Sequence, residues 1–193
     1  FCLLVGTFAT FYPIRNATEQ LNNKEANAYG SSDAPYLSLG DRFSCAVTSS
    51  GGVKCWGLNT SSEVGNAGAG SYPSTPVDVT GLTSGVSSVA SGNSHSCALT
   101  TSGGVKCWGS NSSGQLGDNS LTNRSTPVDV SGLTSGVSAV SSGSSHSCAL
   151  TSAGGVKCWG SNSNGQLGDN TTTNSRLPVN VSGLSSGVTA ISL

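Results

Sequence analysis

The sequence predicts an all-β fold: a tandem array of four-stranded, propeller-like blades of about 51 residues each. Two observations carry the prediction. A block of motifs recurs in fixed order, and a sustained internal period decides architecture ahead of local propensity. The filler between motifs is Ser, Thr, Asn and 27 Gly, with only 9% charged residues, which favours turns and short strands over amphipathic helices.

Taken in order, residues 1–14 (Phe-Cys-Leu-Leu-Val-Gly-Thr-Phe-Ala-Thr-Phe-Tyr-Pro-Ile) form an uncharged apolar run. It is too short to span a bilayer as a helix and lacks the basic start of a signal peptide. Its apolar side chains, Phe1, Leu3, Leu4, Val5, Phe8, Phe11, Tyr12 and Ile14, are expected to be buried against another copy, making this an assembly segment. It faintly resembles the stem of type IV pilins, with Val5 where those carry a glutamate. Ala17–Tyr29 is helix-compatible, and Gly30–Pro35 reads as a linker. The expected division is residues 1–35 for this segment and 36–193 for the repeats, at about 36–86, 87–137 and 138–188 with a partial unit at 189–193.

Within the repeats, Gly92-Asn-Ser-His-Ser-Cys97-Ala-Leu returns as Gly143-Ser-Ser-His-Ser-Cys148-Ala-Leu, and both echo Gly40-Asp-Arg-Phe-Ser-Cys45-Ala-Val. Gly-Val-Lys-Cys-Trp-Gly places Trp56, Trp108 and Trp159, and Pro-Val-Asp-Val or Pro-Val-Asn-Val begins at Pro76, Pro127 and Pro178. Turn clusters separate these runs, giving four short strands per unit. Such a unit cannot bury both faces alone and must stack on its neighbours. The first unit is one residue longer between Val64 and Pro76, a change that marks an exposed loop. The terminal Thr189–Leu193 matches the opening strand of a further unit. It is expected either to complete the preceding blade or to lead into more chain.

His-Ser-Cys-Ala-Leu, then Cys-Trp-Gly-Ser-Asn, then Gly-Gln-Leu-Gly-Asp, then Thr-Pro-Val resembles the repeats of the regulator of chromosome condensation (RCC1) family, in the cysteine-bearing form of bacterial secreted proteins. The likeness covers about residues 36–193. It implies a propeller, usually of seven blades, so an array of about three stays open or is completed by other copies. The first unit departs from the pattern, with Phe43 for the histidine and Ser62-Glu63-Val64-Gly65 for Gly-Gln-Leu-Gly.

Six cysteines pair at a spacing of ten: Cys45 with Cys55, Cys97 with Cys107, and Cys148 with Cys158. Residues ten apart face each other across a hairpin, within disulfide reach. Zinc ligands sit closer together and would need a histidine in every unit, which the first lacks. Three disulfides imply an oxidising compartment, hence an extracellular or cell-surface location. Cys2 has no partner in the pattern. Six sequons, at Asn16, Asn59, Asn111, Asn123, Asn170 and Asn180, are candidate glycosylation sites.

Chemistry has little to work with. His95 and His146 occupy the same place in successive units, which suits a structural hydrogen bond better than catalysis. The tryptophans suit the core better than a carbohydrate platform, and Asp118 and Asp169 suit turn capping better than calcium ligation. No catalytic residue, metal or cofactor is expected. The net charge is −1 with no basic run, so no nucleic-acid partner is expected either. The family's best-known member is a guanine-nucleotide exchange factor acting on a small GTPase at chromatin. Without a basic tail or reduced thiols, that role is not carried over and no small GTPase is expected. The expectation is a self-associating extracellular structural subunit of a fibre or appendage, with the chain itself and glycans as partners. The alternative is a secreted propeller-type binding module for glycans or a surface protein, using loop residues such as Asn111 and Asn162.

Overall fold

The computed structural model describes residues 37–193, all of it strand, turn and loop. The expected assembly segment, its linker and Asn16 lie outside these residues. The chain forms three antiparallel four-stranded meanders. The first holds β1 (Leu37–Leu39), β2 (Phe43–Val47), β3 (Val53–Gly57) and β4 (Val77–Asp78), in that spatial order. The second holds β5 (Val86–Ser91), β6 (His95–Thr100), β7 (Val105–Gly109) and β8 (Arg124–Asp129). The third holds β9 (Val137–Ser142), β10 (His146–Thr151), β11 (Val156–Gly160) and β12 (Ser175–Asn180).

Each central hairpin is set by its turn chemistry. Thr48 Oγ1 accepts the amide of Gly52 at 3.0 Å and donates to its carbonyl at 3.2 Å, and Thr100 with Gly104 and Thr151 with Gly155 repeat the pair. A Cβ on Gly52 would lie 2.6 Å from the Thr83 carbonyl oxygen, so the close approach of the next loop demands glycine. The turn brings Cys45 opposite Cys55, Cys97 opposite Cys107 and Cys148 opposite Cys158. All three pairs are disulfide-bonded, with Cα atoms 4.1 Å apart, near the narrow spacing of a non-hydrogen-bonded antiparallel pair.

The core lies between blades rather than inside them. The first cluster joins Phe43, Val53, Val64, Val79 and Leu82 to Ala98 and Trp108 of the second blade. The next joins Val105, Leu116, Val130 and Leu133 to Ala149 and Trp159 of the third. Each blade thus offers one apolar face to its successor, which is why a repeat alone has no stable core.

The terminal residues do not complete the third blade, whose four strands are already present. The Val188 amide donates to the Gly154 carbonyl, as Val86 does to Gly51 and Val137 to Gly103. Residues 188–193 therefore follow the path by which β5 and β9 open their blades.

Candidate functional site

Antiparallel pairing places the turns Gly40–Arg42, Gly92–Ser94 and Gly143–Ser145 at the same end of the sheets as the long loops 58–76, 110–123 and 161–174. Backbone bonds tie each turn to its loop: Leu58 donates to Arg42, Ser110 to Ser94 and Ser161 to Ser145. The turns of all three blades line one shallow hollow, through Asp41, Asn93 and Ser144 among others.

An asparagine holds each loop, buried in the second and third blades and half-buried in the first. Asn111 Nδ2 donates to Asp118 Oδ1, to the oxygens of Ser120 and to the Thr122 carbonyl, at 3.1 to 3.2 Å, while its Oδ1 accepts the Leu116 amide. Asn162 repeats the arrangement with Asp169, Thr171, Thr173 and Leu167. Asn59 holds the longer first loop through the Ala69 and Gly70 carbonyls and the Val64 amide. The clamps cost conformational freedom once, at folding, and leave the loop tips preorganised.

The aspartates serve these clamps. Burial pushes the Asp118 carboxyl up, but hydrogen bonds from Ser120, Arg124 and Asn111 outweigh it and hold the group below the usual carboxylate range. Arg124 completes an ion pair at 2.7 Å. In the third blade, Thr171 and Asn162 lower Asp169 in the same way. Both carboxylates cap turns, and the described residues contain no cluster of three or more metal-ligating side chains.

The histidines and tryptophans link blades. Trp108 Nε1 donates to the Glu63 carbonyl and Trp159 Nε1 to the Gln115 carbonyl, each at 2.8 Å and each reaching into the preceding blade. Both rings are fully buried, whereas Trp56, with no described blade before it, is half-buried. In the opposite direction, buried His95 bonds through Nε2 to Ser147 Oγ of the next blade at 2.8 Å. Burial and the nearby His146 lower its pKa to about 4, so it stands neutral. Burial also lowers His146, though that ring is only partly covered.

The sequons fare unequally. Asn111 is buried with its amide nitrogen engaged, so it cannot carry a glycan in this fold. Asn123, Asn170 and Asn180 are exposed, and Asn59 is half-buried with its amide nitrogen in the loop clamp. Asn111 and Asn162, read from the sequence as ligand-contacting loop residues, are internal struts. Burial could not be told from exposure in a chain so rich in asparagine; the available signal was the repeated Asn with Asp seven residues on. The exposed large side chains of these loops are Tyr72, at 71%, and Leu121, at 53%, and nothing in the repeat pattern singled them out.

The family model described as "Regulator of chromosome condensation (RCC1) repeat" matches residues 50–99, 102–150 and 153–193. The chain belongs to the RCC1 repeat family. It is 35% identical over 135 residues to the mitochondrial RCC1 domain-containing protein RUG3 of Arabidopsis thaliana, covering 68% of this chain and 30% of that protein. It is 36% identical over 141 residues to the human E3 ubiquitin-protein ligase HERC2, covering 72% of this chain and 3% of that one. The chain thus spans less than a third of these relatives. Among solved structures, yeast RCC1 (Prp20) bound to Kap60 superimposes with a TM-score of 0.69 at 21% identity, over 77% of this chain and 37% of that one. Human WBSCR16 gives 0.66 at 25%, over 76% and 39%. These neighbours establish the RCC1 propeller fold for the three blades.

The partner expectations need correction. Self-association was expected, with glycans as further partners, and a small GTPase was excluded. The yeast neighbours instead engage other proteins: one is seen bound to Kap60, and Prp20p is described by its binding to Gsp1p and histones. The small-GTPase exclusion rested on the lack of a basic tail and of reduced thiols, features that lie outside the blade fold these neighbours share. Self-assembly rested on residues 1–14, outside the described part. The three disulfides are compatible with an oxidising compartment, and the Arabidopsis relative is mitochondrial by name.

Proposed function

We propose that this RCC1-repeat chain is a non-catalytic protein-recognition module stapled by three disulfides. It binds its partner through the clamped loops at one end of the blades. The observation that carries the reading is the display of Tyr72 and Leu121 on loops whose asparagines are spent internally. An exposed large apolar residue on a rigid loop loses little entropy on binding, and aromatic anchors of this kind dominate protein interfaces. The two buried or half-buried histidines, in a pattern shared between blades, serve packing in this reading.

The partner class follows the family precedent of Prp20p, with its binding to Gsp1p and histones. The test measures binding of the non-reduced protein to a small GTPase and to core histones by interferometry. Tyr72→Ser should weaken the interaction by about tenfold or more, and Leu121→Ser by less, with unfolding unchanged. Equal affinity for both variants and the parent would refute the loop assignment.

A further inference from the structure

Each blade carries one lysine at the same place, Lys54 in β3, Lys106 in β7 and Lys157 in β11. In the first two blades its ammonium meets a carboxylate directly opposite in the outer strand. Lys54 Nζ lies 2.6 Å from Asp78 Oδ1, and Lys106 Nζ lies 2.7 Å from Asp129 Oδ1. The third blade keeps the register, but the residue opposite is Asn180, whose Oδ1 accepts from Lys157 Nζ at 2.7 Å. The hydrogen bond is retained and the countercharge is lost. From residue 137 onward the fixed charges in the sequence are Lys157 and Arg176 against one carboxylate, Asp169, which is bonded to Thr171 and Asn162 in its own loop.

A pocket of about 190 Å³ opens beside the pair, lined by Thr151, Lys157, Asn180 and Ser185 among others. With its oxygen engaged, the Asn180 amide offers its Nδ2 donors, and the exposed Ser185 adds a hydroxyl. Lys157 shares a strand face with Trp159, which is turned towards the second blade. Its counterpart Lys106, flanked by a blade on either side, still has a side chain 33% exposed beside an Asp129 side chain 61% exposed. Access to this position is thus a property of the blade itself.

We infer that Lys157, Asn180 and Ser185 form a site for a carboxylate supplied from outside the chain. An acidic side chain of a protein partner fills the place that Asp78 and Asp129 hold in the first two blades. The ammonium supplies charge, and the amide and hydroxyl supply direction. The site adjoins the hairpin turn Thr151–Gly155, at the end of the blade opposite loop 161–174, so it is separate from the contact made through Tyr72 and Leu121. One exposed charge pair adds modest, salt-screened affinity, which suits a contact that orients a partner.

The test titrates isotope-labelled, non-reduced, unglycosylated protein with the peptide acetyl-Gly-Glu-Glu-Gly-amide, with its Gln-for-Glu analogue and with inorganic phosphate, followed by NMR. The acidic peptide should give saturable shifts at the Asn180 side-chain amide and the Ser185 backbone amide. Residues around Lys54 and Lys106, whose charge is already met, should stay unshifted. Asn180→Asp, which restores the pattern of the first two blades, should weaken peptide binding about fivefold or more, read at Ser185, with unfolding unchanged. Lys157→Gln should abolish it. Equal binding by Asn180→Asp or of the Gln peptide, equal shifts around Lys54 and Lys106, or no saturable shift would overturn the inference. Tighter binding of phosphate than of the acidic peptide would overturn the carboxylate assignment.

Discussion

Replacing Trp108 with alanine should be among the most damaging single changes in the protein, and its magnitude follows from the interblade contact. The ring is fully buried against Val64, Gly65 and Val79 of the first blade. Removing an aromatic side chain from such a site costs about 3–5 kcal/mol through lost apolar transfer and the cavity left behind. The Glu63 carbonyl also loses its indole donor at 2.8 Å, adding about 1 kcal/mol. Trp108→Phe isolates the second contribution and should cost about 1–2 kcal/mol. Trp56 holds the same place in its repeat but is half-buried, so Trp56→Ala should cost well under half as much. Urea denaturation of the non-reduced proteins, read by circular dichroism, gives all three values. If Trp56→Ala matches Trp108→Ala, the tryptophans stabilise their own blades rather than the contact between blades, and the stacking account is wrong.

Other outcomes follow from the same contacts. His95 is neutral in the fold, with a pKa lowered to about 4 from the ordinary 6.5, so the unfolded chain takes up a proton that the folded one refuses. Stability is therefore full above pH 6.5, falls as pH drops towards 4 by roughly 3 kcal/mol, and gains no further slope from this group below that. His95→Phe, the residue present as Phe43 in the first blade, should flatten most of that slope in denaturation series at pH 7, 5.5 and 4. Opening one bridge with Cys97→Ser and Cys107→Ser together should cost about 3 kcal/mol, the loop-closure entropy of a short ring, measured against the parent under non-reducing conditions. Asn162→Ala should leave loop 161–174 sensitive to limited proteolysis while the first blade stays resistant, as it removes every bond that Asn162 Nδ2 makes. In a glycosylating host, peptide mass spectrometry should find Asn111 unmodified, because its amide nitrogen is buried.

The blade count, the four strands of each blade and the cysteine partners could be read from the chain because each is a property of the period. A ten-residue cysteine spacing across a Thr-Ser-Gly turn admits one antiparallel register, and the structure adopts it. What escaped were the relations between repeats. Periodicity says that Trp108 and Trp159 are equivalent but not that each ring crosses into the preceding blade, since both directions share the same spacing. The bond from His95 to Ser147 spans 52 residues and has no local signal. Polar burial escaped for a different reason. Asn111 and Asn162 sit among serines, glycines and other asparagines, so composition assigned them to solvent, whereas the loops needed an internal amide to satisfy several backbone groups at once.

Binding of a protein partner at the clamped loop end of the blades can be read by hydrogen-exchange footprinting of the non-reduced protein, with and without a small GTPase or core histones. Protection should rise over loops 58–76 and 110–123, around Tyr72 and Leu121, with the opposite hairpin turns at Thr48–Gly52 and Thr100–Gly104 unchanged. Protection at those hairpin turns, or none with either partner, would contradict it.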